Sequence, residues 1–217
     1  MSHKPHNKIH DNMTESEIVF AELEKLKIWS VESKLDKSLK KSLRYFNKSE
    51  ILLDVTMVSS FLRENARAIS DIFPMHPFRI KSLDSCTRKY AKFSAMEGFA
   101  VNKTFNDLLG FRVVVQDYPD FSTIDGFDVV DLRNGKSLDD GYRGIHMYYA
   151  KSSRHYPVEV QFHTKRDSFL NVLLHEKVYK YHPDPMIGRK LKEAYDSGKI
   201  DNEETFAEVL FDVLSNC

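Results

Sequence analysis

The chain has 217 residues, 41% of them apolar and 29% charged, which suits one well-buried globular unit with helical additions at its ends. Lys plus Arg and Asp plus Glu both number 32, so any signal for a polyanion or a membrane surface has to come from local distribution. Two cysteines, Cys86 and Cys217, exclude a disulfide framework and suit a reducing cytoplasm; no apolar run reaches the length of a membrane span, and the polar N-terminus lacks a signal-peptide core.

Residues 1–13, with His3, His6 and His10, read as a disordered tail. Thr14-Glu15-Ser16-Glu17 marks a helix start, and helical periodicity runs on to Lys27. A second helix is predicted over 32–48 and a third over 49–72, with Ser49 as its cap; Pro74 and Pro77 then force extended chain before Arg79. From there the period changes to β-rich runs at 112–116, 127–131, 145–149 and 157–162. Asn134-Gly135 can close a hairpin, although the charged stretch to Gly141 reads better as a mobile loop. Helices return at 165–181, 187–197 and 202–215. The pattern predicts a single α+β (α/β-like) domain over 14–217: a mixed sheet flanked by helices, with N-terminal helices over 14–73, a core over 75–182 and C-terminal helices over 187–217.

Four polar clusters stand out between Arg79 and Lys180. They are Arg79-Ile80-Lys81 running on to Ser85 and Lys89; Asn106-Asp107 with Gly110-Phe111-Arg112; Gly141-Tyr142-Arg143-Gly144-Ile145-His146; and Val158-Glu159-Val160-Gln161. In a strand over 157–162, Glu159 and Gln161 share one face and Val158, Val160 and Phe162 the other. A glutamate between valines in a central strand needs a reason, because burying an unpaired charge is costly; an edge strand with a wet polar face carries the same pattern. Asp107 sits before Gly110, where by itself a helix-terminal or turn aspartate is the more natural reading. Two carboxylates from different elements can hold one Mg²⁺, leaving Arg79, Lys81, Lys89 and Arg112 for a polyphosphate, with Ser85 on the helical face of both lysines. Tyr142 offers a flat ring for a base, and Arg143 and His146 reach ribose or phosphate oxygens. His175 and Lys180 follow in the next helix.

In this order the clusters resemble the synthetase domain of RelA/SpoT homologues, the enzymes that make guanosine penta- and tetraphosphate, over roughly residues 75–182. The resemblance implies a fold related to the nucleotidyltransferases, Mg²⁺, and transfer of the β,γ-pyrophosphate of ATP to a nucleotide 3′-hydroxyl with release of AMP. Residue by residue, it implies that Arg79 stacks on the adenine and that Lys81, Ser85, Lys89 and Arg112 bind the phosphates. Asp107 and Glu159 hold Mg²⁺ and are the catalytic pair, Glu159 also drawing the acceptor's proton; Tyr142 stacks on the acceptor base, and Arg143, His146 and Gln161 line that side.

Several stretches resemble the FaRel-type toxic small alarmone synthetases: Glu32-Ser33-Lys34-Leu35, the run from Phe105 to Arg112, Gly135-Lys136-Ser137 with Asp139-Asp140-Gly141, and His155-Tyr156-Pro157. Some members of that group pyrophosphorylate the 3′-CCA end of tRNA and stop translation, which implies a cognate antitoxin protein as a partner and neither DNA nor a membrane. Lys136 lies five residues before Gly141, and Phe169 and Leu170 stand near where the alarmone-making pattern has a tryptophan; both are departures from the guanine-nucleotide pattern. On a helical wheel over 32–48, Lys34, Lys37, Lys40, Lys41, Arg44 and Lys48 fall within about one third of the circumference, opposite Leu35, Leu39, Leu43 and Phe46. Such a stripe, with Lys136, suits a phosphodiester backbone, and an ordinary amphipathic surface helix would look the same. Making (p)ppGpp or ppApp from ATP and a free nucleotide is the alternative activity. A nucleotide-sensing module without catalysis is the third possibility, and the presence of both Asp107 and Glu159 argues against it.

Overall fold

The computed structural model describes residues 14–72, 74 and 76–216; the expected tail over 1–13 and Cys217 lie outside them. Helix α1 (Glu15–Leu26) starts where expected, with a capping box: the Glu17 N–H donates to the Thr14 hydroxyl at 3.3 Å, and the Thr14 N–H donates to the Glu17 carboxylate at 2.7 Å. The third predicted helix is two, α2 (Lys48–Glu64) and the short α3 (Ala66–Ser70). Its cap is Asn47 rather than Ser49, the Asn47 side chain accepting from the Ser49 N–H at 3.2 Å.

The helix predicted over 32–48 is absent, apart from one 3₁₀ turn at Leu43–Tyr45. Its backbone groups are spent on other segments. The Ser33 N–H donates to Arg154 O at 2.9 Å, Leu39 N–H to Ser153 O at 2.8 Å and Leu43 N–H to Phe99 O at 2.9 Å, while Asn102 N–H donates back to Leu39 O at 2.9 Å. Long-range pairing thereby replaces the i→i−4 ladder, and tertiary context overrides local propensity. The inside–outside pattern survives: Leu35, Leu39, Leu43 and Phe46 are buried and all six cations are exposed. The clamp is Asp54 on α2, buried at 3% exposure, which accepts from the Ser33 hydroxyl at 2.6 Å, the Lys34 N–H at 2.8 Å and the Tyr156 hydroxyl at 2.8 Å. Asp54→Ala leaves two buried hydroxyls and the part-buried Lys34 N–H without this acceptor and is expected to lower stability by about 3 kcal/mol. Urea unfolding checks it; a loss under about 1 kcal/mol would remove Asp54 as the clamp.

Strand β1 (Phe78–Ile80) and helix α4 (Leu83–Ser94) follow, then the single turn α5 (Val101–Thr104) and strands β2 (Leu109–Val115), β3 (Asp128–Asp131), β4 (Ile145–Tyr149) and β5 (Val158–Thr164). They form one mixed sheet in the order β1-β2-β5-β4-β3, in which only β2 and β5 run parallel. β5 is therefore central, which decides the position of Glu159 against the edge. Phe111, Val113, Met147, Val158, Val160 and Phe162 sit in the same apolar core as α1, α2 and the 32–46 segment. Helix α6 (Lys165–Leu173) runs into a π-helical turn (Leu174–Val178), and with α7 (Pro185–Asp196) and α8 (Glu203–Ser215) it builds a second apolar cluster around Leu174, Leu191 and Phe206. No helix among the described residues is long and apolar enough to cross a membrane.

Candidate active site

Register builds the site. Arg79 on β1 faces Gly110 on β2, Gly110 faces Glu159 on β5, and Glu159 faces Tyr148 on β4; one step along, Arg112, Gln161 and His146 line up in the same way. Because side chains alternate along each strand, these residues share one face and the apolar core takes the other. Asp107 arrives from the turn between α5 and β2, and Lys89 from α4.

Asp107 and Glu159 are buried, at 6% and 3% exposure, and both reach the same guanidinium nitrogen, Arg79 Nη2, at 3.2 and 3.8 Å. Around Asp107 the cations close in: Lys81 Nζ bonds to Oδ2 and Lys89 Nζ to Oδ1 at 3.0 Å, Lys89 also reaching Asn106 Oδ1 at 3.0 Å. Burial pushes the Asp107 carboxyl up, but Lys89 and Lys81 outweigh it and hold it below the usual carboxylate range. Glu159 is pushed up by burial and pulled down further by the hydrogen bond from His146, with help from the Tyr148 hydroxyl, so it too stays below its ordinary value. Its Oε1 lies 3.0 Å from both His146 Nδ1 and the Tyr148 hydroxyl, and its Oε2 accepts from Gln161 Nε2 at 3.0 Å. Both carboxylates are thus ionised at neutral pH.

Two hard oxygen donors converging on one point suit Mg²⁺, which typically takes one or two carboxylates and completes its shell with water and phosphate oxygens. The Arg79 side chain between them is half exposed. No further His, Cys, Asp or Glu joins them as a three-ligand cluster among the described residues, so Asp107 and Glu159 are the protein's share of such a site.

Two cavities meet here. One of about 390 Å³ has Arg79, Lys81, Arg112, Lys136, Tyr142, His146, Gln161, His175 and Tyr179 in its walls. The other, of about 200 Å³, lies between Phe78, Arg79, Gly110, Arg112, Glu159 and Gln161. Arg79, Arg112 and Gln161 belong to both.

Other predicted residues sit differently. Ser85 is in the first turn of α4, bonded to the Ser82 hydroxyl at 2.9 Å and receiving from Arg88 Nη2 at 3.2 Å; Lys81 precedes the helix, so the two share no helical face. Arg143 is not in the cavity wall: its guanidinium binds Asp139 at 2.7 and 2.9 Å, and its main chain is clamped by Asn171. Asp139, four residues earlier on the same loop, is the nearer partner and takes both guanidinium nitrogens. The Tyr142 hydroxyl points inward, 2.6 Å from His146 Nε2 and 2.7 Å from His163 Nε2, and burial pushes its pKa well up. Lys136 is apart from the basic 34–48 segment: it pairs with Asp140 at 2.5 Å and lies 5.1 Å over the Tyr142 ring. His163, Tyr148, Asn171 and Tyr179 were not marked by sequence. Of these Tyr148 and His163 carried a usable signal, Tyr148 the strand parity of His146 and His163 that of Glu159 and Gln161.

Residues 78–184 match the model of the region found in RelA / SpoT proteins. No curated protein sequence matches the chain. Among solved structures it is similar to small alarmone synthetase 1 of Bacillus subtilis bound to its product pppGpp, at 19% identity over 76% of this chain and 97% of that one, with a TM-score of 0.43. It is likewise similar to a GTP pyrophosphokinase family protein from Streptococcus pneumoniae, at 20% identity over 78% and 98%, with a TM-score of 0.41. The matched residues contribute every strand of the sheet and both buried carboxylates, and with them the chain carries a RelA/SpoT domain.

Proposed function

We propose that the chain is an ATP-dependent pyrophosphokinase whose acceptor is the 3′ end of tRNA, acting as the toxin of a toxin–antitoxin pair. The observation that carries the reaction class is the pair of buried carboxylates, Asp107 and Glu159, meeting at Arg79 beside Lys81 and Lys89, over two adjoining cavities. Polyphosphate donors need fixed cations, and an attacking hydroxyl needs a base held in place. In the proposed step the acceptor 3′-oxygen bonds to the β-phosphorus of ATP as the bond from that phosphorus to the α–β bridging oxygen breaks. AMP leaves, and the hydroxyl proton passes to Glu159. Arg79, Lys81 and Lys89 turn from their carboxylate partners to the phosphates, joined by Arg112, and Ser85 at the start of α4 adds a hydroxyl. A bound Mg²⁺, held by Asp107 and Glu159, would neutralise charge building on the transferring group.

The tRNA assignment is supported by the 34–48 segment. It is not a helix, yet its cations point outward, and it packs through Leu39, Lys41 and Ser42 on Ala100, Val101 and Asn102, the turn that leads to Asp107. Lys40 and Lys41 are exposed beside the chain that delivers Asp107, and Lys34 is exposed earlier in the same segment. Lys40→Ala with Lys41→Ala is expected to weaken labelling of tRNA about tenfold and to flatten its log–log salt dependence by roughly 1.5, leaving the KM for ATP unchanged. Unaltered tRNA labelling would reduce the segment to a solvated face.

One observation favours a free nucleotide acceptor: the cavity of about 390 Å³ has the size for a single nucleotide, with Tyr142 and Lys136 in its wall. The deciding experiment incubates the protein with γ-³²P-ATP and Mg²⁺ and offers deacylated tRNA, GDP and GTP separately. Label on tRNA that disappears with the CCA end supports the proposal. Label on GDP or GTP alone makes the protein a small alarmone synthetase.

A further inference from the structure

His163 is 1% exposed, its Nε2 lies 2.7 Å from the Tyr142 hydroxyl, and its Nδ1 is buried without a partner. Room for the ring exists because residue 144 is glycine. A Cβ there would lie 2.8 Å from His163 Cδ2 and 3.0 Å from its Nε2. Burial, with Arg112 and His146 nearby, pushes the His163 imidazole down to about 4, so it is neutral at physiological pH.

The proton count along the chain of contacts leaves one consistent arrangement. His163 Nδ1 is the buried atom without a partner, and a buried acceptor left unpaired is more tolerable than a buried N–H donor, so the hydrogen of the His163 ring sits on Nε2. His163 Nε2 then donates to the Tyr142 oxygen at 2.7 Å, and the Tyr142 proton is left for His146 Nε2 at 2.6 Å. A nitrogen that accepts carries no hydrogen, so the His146 proton is on Nδ1, 3.0 Å from Glu159 Oε1 and 3.1 Å from the Tyr148 hydroxyl. The opposite arrangement would strand a buried N–H at His163.

We infer that His163 is a positioning residue: through the Tyr142 hydroxyl it holds His146 in the tautomer that donates to Glu159 Oε1. That bond, with the one from Tyr148 at 3.0 Å, occupies Oε1, while Oε2, which accepts from Gln161 Nε2 at 3.0 Å and lies 3.8 Å from Arg79 Nη2, is the oxygen turned to the reaction. The same contact keeps the Tyr142 ring at one setting in the cavity wall. No titration is required; the device is a fixed sequence of donors and acceptors.

The inference rests on the proposed pyrophosphokinase for its kinetic consequence, and two measurements separate the two ideas. Imidazole ¹⁵N spectra of the unaltered full chain should show His163 neutral with its proton on Nε2, and His146 with its proton on Nδ1. A His163 proton on Nδ1 overturns the inference whatever the activity. With ATP and whichever of tRNA or GDP the wild type labels, His163→Phe should lower kcat about ten- to a hundredfold with the KM for ATP unchanged. His163→Gln, whose amide supplies a donor, should recover most of that loss. Unchanged kcat in His163→Phe, or equal losses in both variants, overturns the positioning role. Wild-type protein that labels neither acceptor sinks the proposed function instead, and the tautomers alone then decide the inference.

Discussion

Glu159→Gln is expected to lower pyrophosphate transfer at least about a thousandfold while changing stability by no more than about 1 kcal/mol. The asymmetry follows from the contacts. The amide oxygen of glutamine can still accept from His146 Nδ1 and the Tyr148 hydroxyl, each 3.0 Å from Oε1, so the central strand keeps its polar neighbours satisfied. The new amide nitrogen meets the Gln161 donor at the Oε2 position, a mild local conflict, and Arg79 retains Asp107 at 3.2 Å as its partner. What disappears is the charge: no base for the acceptor hydroxyl, and only one carboxylate toward a cation. Steady-state labelling with γ-³²P-ATP beside urea unfolding checks both halves. A variant that turns over normally would remove Glu159 from the chemistry, and one that fails to fold would make it a structural residue.

Gly188→Ala should be the most damaging change outside the polar face. Gly188 lies in α7 against the loop that carries Tyr142, and a Cβ there would stand 1.9 Å from the Asp140 carbonyl oxygen. The contact is reciprocal, since a Cβ on Gly141 would stand 2.2 Å from Gly188 O, and Gly141 also has φ of +85°. Backbone sits on backbone, and neither side can yield without moving the loop. Alanine favours a helix interior over glycine by about 1 kcal/mol, so local propensity predicts a gain. The expected result is the reverse: a fall in Tm, and about a hundredfold loss of activity as Tyr142 and Lys136 shift by an ångström or so. Normal activity with a raised Tm would show that the loop is not held by α7.

The helix start at Thr14, the four strands from β2 to β5 and the C-terminal helices were legible because local chemistry specifies them: a capping box, period-two valines, an asparagine cap. The three-residue β1 was too short to show a period and appeared only as extended chain before Arg79. The alternation of Glu159 and Gln161 with valines identified a strand with one polar face, but an edge strand would read the same. Only the order β1-β2-β5-β4-β3 places that glutamate at the centre and makes its burial meaningful.

The segment over 32–48 divides the two kinds of information most clearly. Its spacing of leucines and lysines was enough to say which side chains go in and which stay out, because burial responds to hydrophobicity alone. It was not enough to choose a helix, because the backbone donors of Ser33, Leu39 and Leu43 found acceptors at Arg154, Ser153 and Phe99, far away in the chain. The same limit applies within the site. Residue types pointed to a polyphosphate, a cation and a base, whereas Arg143 turning to Asp139, Tyr142 turning to His163, and Asp107 meeting Glu159 at one guanidinium follow from register and loop path. Chemistry resides in side chains and is written residue by residue; which side chains meet is set by hydrogen bonds and packing between segments remote in sequence, and those exist only once the chain has folded.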